Sequence, residues 1–184
     1  MIYLIVLAVL VAAVLVWLML TYNRLVRLRN EAQQGFSGID IQLKRRADLI
    51  PNLVEAVKAY AAHESGLFEE LAKARADTLT AEGVAGAADA AGKTGAALGR
   101  LFAVAEAYPQ LRASENFQRL QEELTDTEDK IAAARRYYNN VVQKFNTSQQ
   151  TFPASLVAGT FGFGPREFFR IEDDGDRAPV AVSL

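Results

Sequence analysis

Residues 117–145 read FQRLQEELTDTEDKIAAARRYYNNVVQKF, and their apolar positions repeat with a heptad period. Apolar residues spaced alternately by three and four positions share one face of an α-helix, as in a coiled coil or a helical bundle. We therefore predict one long helix over residues 114–150. Its seam consists of two interleaved series: Phe117, Leu124, Ile131, Tyr138 and Phe145; and Leu120, Thr127, Ala134 and Val141.

Three further helices are predicted upstream, over residues 22–47, 49–79 and 94–107. Asp48 suits the N-cap of the second, with Pro51 in its first turn, where a missing N–H costs little. The apolar stripes also join across Pro51, so one long helix kinked at this proline is the alternative. Residues 80–99 are rich in Gly and Ala and indicate a flexible connector or a poor helix end. The fold class is then all-α, an up-and-down four-helix bundle over residues 22–151.

The first twenty residues, MIYLIVLAVLVAAVLVWLML, are uniformly apolar. A helix of about 20 residues spans roughly 30 Å, the thickness of the hydrocarbon core of a bilayer. No basic residue precedes the run and no small-x-small cleavage site ends it, so a retained transmembrane helix is favoured over a signal peptide. We predict an anchor over residues 1–21, with these lipid-facing positions: Ile2, Leu4, Leu7, Leu10, Leu15, Trp17 and Leu20.

Arg24, Arg27 and Arg29 follow the apolar run closely. By the positive-inside rule, they predict that the N-terminus lies outside and the body in the cytoplasm. No Gly or Pro occurs in residues 1–34, so we expect the membrane helix to continue into the body, which makes the chain a single-pass membrane protein.

Four antiparallel helices would bring the end of the body back toward the membrane. Residues 152–184 form the third predicted region, a Phe- and Gly-rich segment without regular helix, followed by a loose acidic tail over residues 171–184. The phenylalanines either contact the membrane or a partner, or cap the open end of the bundle core. They are Phe152, Phe161, Phe163, Phe168 and Phe169.

Little in the sequence indicates catalysis. The chain has no Cys and one His, so a thiol nucleophile or a zinc–thiolate centre is excluded. His63-Glu64 begins like a zinc protease box, but Leu67 stands where the second His is needed. The net charge of −2 argues against a nucleic-acid partner. We predict no catalytic residue, no metal site and no cofactor.

The basic cluster Lys44, Arg45 and Arg46 has two interpretations. Residue 45 would lie about 37 Å along a straight helix from the end of the anchor, too far for a lipid headgroup. One interpretation is favourable charge at the C-terminal end of a helix. The other is pairing with an acidic face of another chain.

A series of short motifs is spread along the chain in a fixed order. The motifs are YNRLV at 22–26, QLKRR at 42–46, DLIPNLV at 48–54, His63-Glu64, Ala74-Arg75, Tyr108-Pro109, Asn116-Phe117, Leu120-Gln121, Leu124, Thr127-Glu128, Ile131-Ala132, Ala134-Arg135, Tyr138-Asn139, Phe145-Asn146 and Phe152-Pro153. In these motifs and their order, the chain resembles the LemA family of bacterial membrane-anchored proteins. The resemblance covers nearly the whole chain, and the sequence departs from the family pattern mainly at residues 35–38, in the Ala- and Gly-rich stretch and in the tail.

The resemblance implies a single-pass protein of the bacterial inner membrane, with a cytoplasmic helical bundle and no established biochemical activity. Some relatives take part in organising bacterial membrane compartments, and others are encoded beside membrane-bound zinc peptidases. Three features of the sequence favour a scaffold: the helix that joins anchor and bundle, the long heptad seam, and the Phe-rich return to the membrane. We expect a non-enzymatic scaffold that contacts the bilayer, forms homo-oligomers and organises or shapes the membrane. The alternative is an adaptor or regulator of a membrane peptidase or signalling protein.

Overall fold

A computed structural model describes residues 1–171. This part of the chain is all-α and contains no strand, as predicted. The helices are α1 (Ile2–Lys58), α2 (Ser65–Thr80), α3 (Gly83–Glu106), α4 (Pro109–Arg112), α5 (Glu115–Gln150) and α6 (Ala154–Thr160). The predicted acidic tail lies outside the described residues, apart from Ile171.

Helix α1 does not end before Pro51, so the predicted boundary at Asp48 is wrong, and the continuity expected by the alternative is confirmed. A proline inside a helix leaves the carbonyl four residues earlier without its usual donor. Here that carbonyl belongs to Ala47, and it accepts a 3.1 Å hydrogen bond from Nε of Arg75. The helix ends at Lys58 instead, at a turn that no Gly or Pro marks in the sequence.

The Ala- and Gly-rich stretch is a helix, which corrects the prediction of a flexible connector. Helix α3 begins at Gly83, whose φ of 70° few other residues adopt without strain. Alanine is the best helix former, and small side chains let a helix approach its neighbours closely. The buried residues of α3 are Ala87, Ala88, Ala90, Ala91, Thr94, Ala97, Leu98, Leu101 and Ala105.

The chain divides into two compact units, and both α1 and α5 contribute residues to each. The first unit comprises residues 1–36 and 136–168. Its core contains Leu25, Phe145, Val157 and Ala158, against which Trp17, Leu18, Leu28 and Phe163 pack.

The second unit comprises residues 37–135 and the described residues from Phe169 onward. Parts of α1, α2, α3, α4 and α5 pack around its core, and the short connections of α1 to α2 and of α2 to α3 suit an up-and-down bundle. The core residues of this unit are Leu49, Ile50, Leu53, Val57, Ala61, Leu71, Ala74, Ala97, Leu98, Leu101, Ala105, Leu111, Phe117, Leu120 and Leu124.

The heptad seam of α5 is confirmed as the buried face of that helix. Eight of its nine positions are buried and Ala134 is half-buried. Thr127 is fully buried, and its hydroxyl donates a 2.7 Å hydrogen bond to the carbonyl of Glu123. The seam is therefore occupied by contacts within the chain.

Candidate functional site

The apolar segment at the start of α1 has the surface of a membrane-spanning helix. It is long and apolar enough to cross a bilayer, and its most apolar stretch buries nothing inside the protein. Trp17 differs from the other predicted anchor residues because it is half-buried, packed against the core of the first unit. The anchor positions that are more than half exposed are Ile2, Leu4, Leu7, Leu10, Leu15 and Leu20.

The environment of α1 changes within two turns of the end of this segment. Leu25 is 1% exposed, and Ala32 is fully buried. The same helix therefore exposes apolar side chains at its start and buries them further along, without an interruption between the two regions.

The three predicted juxtamembrane arginines have different surroundings. Arg24 and Arg27 are exposed. The guanidinium of Arg29 lies 5.6 Å from the centroid of the Phe163 ring, within the range of a cation–π interaction. Arg24 lines a groove beside the end of the apolar run.

The Phe-rich segment contains a short helix, α6, so the prediction of no regular helix is wrong. Val157 and Ala158 are buried, and this burial stabilises a helix too short to show a clear apolar period in the sequence. Beyond α6, Phe161 and Phe163 contact Tyr22 of α1, with ring centroids 4.9 Å and 5.7 Å away. The segment therefore returns to the end of the apolar run.

The five phenylalanines separate into exposed and buried residues. Phe152 is 77% exposed and Phe161 58%, and Leu156 between them is also exposed, so this face of the segment is available to lipid or to a partner. Phe163 and Phe168 are half-buried. Phe169 is buried at 1% exposure, so the prediction that it contacts membrane or a partner is wrong, and it contributes to the protein interior.

Two side chains of α5, to which the sequence analysis gave no such role, hold the chain after α6 in place. Asn146 donates through Nδ2 to the carbonyl of Arg166 at 2.8 Å and accepts through Oδ1 from the N–H of Arg166 at 2.9 Å. The hydroxyl of Tyr138 donates to the carbonyl of Glu167 at 2.8 Å. Their spacing of eight residues on one helix, which places them on the same side of α5, is the sequence signal for this role.

A groove of about 300 Å³ opens beside the end of the apolar run. One wall belongs to α1 and the other to the end of α5 and the start of α6. The wall residues from α1 are Trp17, Thr21, Arg24 and Leu25; those from the other side are Thr147, Ser148, Thr151, Phe152, Pro153 and Ala154.

A second groove of about 370 Å³ adjoins the first. The two share Arg24, Thr147 and Ser148, and the second adds Lys144 together with Asn140 and Gln143. Among the described residues that line the two grooves, none is acidic.

The basic cluster of α1 is not a single exposed patch. Arg46 is 2% exposed; it donates to Oε1 of Glu128 at 2.8 Å and to the carbonyl of Ala91 at 2.9 Å. Inter-chain pairing of Arg46 is therefore wrong, because its partners lie in its own chain. The interpretation of the cluster as charge at the C-terminal end of a helix is wrong as well, because α1 continues to Lys58. Lys44 pairs with Asp40 at 2.7 Å, one helical turn away, and Arg45 is exposed. Inter-chain pairing of these two remains a prediction.

Within residues 1–171, no group of three or more His, Asp or Glu side chains is arranged to hold a metal ion. His63 is exposed and lies in the turn between α1 and α2.

Comparison with known proteins gives one family and several relatives. The sequence pattern of the LemA family matches residues 35–184. Magnetosome protein MamQ of Magnetospirillum gryphiswaldense is 27% identical, over 91% of this chain and 71% of the relative. Magnetosome protein MamQ 2 of Paramagnetospirillum magneticum is 28% identical, over 95% and 74% respectively. Protein LemA of Metamycoplasma hominis is 26% identical, over 74% and 63%.

Proposed function

The chain belongs to the LemA family, and we propose that it is a non-enzymatic, membrane-anchored helical scaffold that self-associates and organises or shapes the membrane. The observation that carries this proposal is the continuity of α1, which is one helix from Ile2 to Lys58. Its exposed apolar start and its buried continuation belong to one hydrogen-bonded rod. No linker separates the apolar start of α1 from its buried continuation.

The relatives support a role at a membrane. The resemblance described above implies that some family members organise bacterial membrane compartments, and two relatives are named as magnetosome proteins. We extend an organising role of this kind to the present chain and place it in the inner membrane.

The orientation in this proposal rests on Arg24, Arg27 and Arg29, which favour a cytoplasmic body and an external N-terminus. The absence of Cys from the sequence makes the test direct. In intact spheroplasts, a membrane-impermeant maleimide should label a cysteine that replaces Met1 behind a new start codon (Met1→Cys). The same reagent should not label Gln121→Cys, at an exposed position of α5, until the membrane is opened. Labelling of Gln121→Cys in intact spheroplasts would reverse the orientation.

The surface for self-association must lie outside the heptad seam of α5, because that seam is buried within the chain. We place it in the apolar segment, where Ala8 and Ala12 are four residues apart on an exposed face. Small residues at this spacing allow two transmembrane helices to approach closely.

Disulfide cross-linking in native membranes tests this surface. Ala12→Cys and Ala8→Cys should give cross-linked dimers on oxidation, whereas Leu10→Cys, on the opposite face of the helix, should not. Equal cross-linking at all three positions would indicate random collision. If no cross-link forms and proximity labelling recovers one dominant foreign protein, the result supports the adaptor hypothesis and contradicts self-association.

A further inference from the structure

The groove between α1 and the α5–α6 junction lies beside the end of the apolar run. With a rise of about 1.5 Å per residue, the twenty-residue apolar run is about 30 Å long. Trp17 then lies one turn inside the end of the run, and Thr21 and Arg24 lie just beyond it. If α1 spans a bilayer, the groove opens at the level of the lipid headgroups.

The polar lining of this groove suits a phosphate. A guanidinium presents planar N–H donors that match phosphate oxygens better than a point charge does. The hydroxyl of Thr151 is engaged, since it donates to the carbonyl of Thr147 at 2.8 Å. The hydroxyls of Thr21, Thr147 and Ser148 complete a set of neutral donors around Arg24.

The apolar lining lies beside the polar one, as an amphiphilic ligand requires. Trp17, Leu25 and Phe152 line the same groove as Arg24. Beyond Trp17 toward the N-terminus, α1 exposes only the side chains of its apolar run. An acyl chain leaving the groove in that direction would therefore lie along an apolar helix surface.

The charge of the surrounding unit favours an anionic ligand. Residues 1–36 and 136–168 contain six basic and two acidic side chains, although the whole chain carries a net charge of −2. Lys144 lines the adjoining groove beside the shared Arg24. Two neighbouring cations disfavour a zwitterionic headgroup such as phosphocholine, whose own cation would approach them.

We propose that this groove is a binding site for one anionic phospholipid, with Arg24 and the neighbouring hydroxyls on its phosphate and Trp17 beside its glycerol and upper acyl region. The inference deepens the proposed function and rests on the membrane insertion of α1. We assign the ligand as a lipid rather than a free phosphate because the groove adjoins the apolar run directly.

The single tryptophan of the chain makes the test specific, because it lines the groove. The full-length protein is placed in phosphatidylcholine nanodiscs containing a minor fraction of brominated phosphatidylglycerol or, in parallel, of brominated phosphatidylcholine. Bromine quenches tryptophan only at close range. We expect brominated phosphatidylglycerol to quench Trp17 more strongly than brominated phosphatidylcholine at the same mole fraction.

Arg24→Gln should remove this preference. The loss of a charge-assisted hydrogen bond weakens binding by about tenfold. Arg27→Gln is the matched control, since Arg27 is exposed, lies one turn away, carries the same charge and lines neither groove. The double variant Thr21→Val, Ser148→Ala removes neutral donors without changing the charge and should reduce the preference less than Arg24→Gln does.

Different outcomes test the lipid site and the membrane insertion of α1 on which it rests. Equal effects of Arg24→Gln and Arg27→Gln, or no preference in the wild type, would overturn the site and leave the anchor intact. No quenching by either lipid would show that α1 is not inserted, which would overturn the anchor as well. Loss of the preference on adding inorganic phosphate would show that the groove binds the free anion, and it would overturn the assignment of a lipid as its ligand.

Discussion

Arg75 donates a hydrogen bond from Nε to the carbonyl of Ala47 at 3.1 Å, and Ala47 is the residue whose carbonyl Pro51 leaves without a helical donor. A side chain of α2 thus replaces the backbone N–H that a proline lacks. The arrangement lets α1 continue to Lys58 across a residue that normally ends a helix.

A double-mutant cycle measures this replacement. Arg75→Ala should lower the free energy of unfolding by about 1–2 kcal/mol, because a buried carbonyl loses its donor. In a Pro51→Ala background the backbone N–H is restored, so the same change should cost less than about 0.5 kcal/mol. The measurement is denaturant unfolding of the full-length chain in detergent, followed by far-UV circular dichroism.

The control for this cycle is Arg112→Ala, which removes an exposed ion pair with Glu106 at 3.0 Å. Exposed pairs contribute about 0.2–1 kcal/mol, so its effect should be small and the same in both backgrounds. Equal costs of Arg75→Ala with and without Pro51 would contradict the account.

Arg46 is the buried cation of the second unit, and its removal should be costly. Arg46→Ala leaves a cavity and deprives Glu128 and the Ala91 carbonyl of their donor. Loss of one partner of a buried pair costs about 3–5 kcal/mol, and the partial exposure of Glu128 places the expected loss near the lower end. Lys44→Ala breaks the exposed ion pair with Asp40, which lies one helical turn away. This change should lower the free energy of unfolding by less than about 0.5 kcal/mol. Similar losses for the two variants, read from denaturant midpoints, would show that Arg46 is not structurally special.

Two glycines of α1 should respond in opposite ways to alanine. A Cβ at Gly35 would lie 3.3 Å from the Cα of Tyr138 and 3.3 Å from a ring carbon of Tyr137, whereas a Cβ at Gly38 would meet nothing within 4 Å. Gly38→Ala should raise the unfolding free energy by about 0.5–1 kcal/mol through helix propensity. Gly35→Ala should lower the unfolding free energy by about 1 kcal/mol or more, since the backbone at Tyr138 must move to make room for the new methyl group. Thermal unfolding of the two variants side by side decides this, and a stabilised Gly35→Ala would refute the close approach.

Tyr138 should make stability depend on alkaline pH. Burial raises the pKa of its phenol above the ordinary value of 10.0; the Glu167 carboxylate adds to this rise and Arg166 opposes it. Between about pH 10 and the raised pKa, the unfolded chain binds fewer protons than the folded one, so stability falls as pH rises through this window.

Tyr138→Phe tests this dependence. It should cost about 1 kcal/mol at neutral pH, because the hydrogen bond to the Glu167 carbonyl is lost, and its stability should then decline less steeply at alkaline pH than that of the wild type. Unfolding midpoints from pH 8 to pH 11 would reveal this as a shrinking gap between the two proteins. A constant gap would show that the phenol does not titrate with folding.

The sequence predicted the elements whose apolar period is long and unbroken. The seam from Phe117 to Phe145 and the apolar run at residues 1–20 both appear as expected. The second half of α3 was predicted as the helix over residues 94–107, but its first half, from Gly83, was missed. The Gly and Ala content of that half is also typical of linkers, and only the packing of its alanines distinguishes the two. The end of α1 at Lys58 was missed because no Gly or Pro marks it.

The site was harder to predict for a different reason. The groove joins Thr21 and Arg24 to Thr147 and Ser148, and no local pattern connects hydroxyls so far apart in the chain. Arg46 did carry a signal: it falls three residues after Leu43 and four before Ile50, on the buried stripe of α1. A cation on an apolar stripe indicates a buried partner rather than a surface contact.

The most direct test of the scaffold proposal is the mass of the full-length protein extracted in its native lipids. Polymer-bounded lipid particles avoid detergent, and single-particle mass measurement counts the copies in each. We expect most particles to hold two or more copies of the wild-type protein. Ala12→Leu should shift the particles toward one copy, whereas Leu10→Ala should not. Particles that hold a single copy even at high expression would contradict the central claim that this chain is a self-associating membrane scaffold.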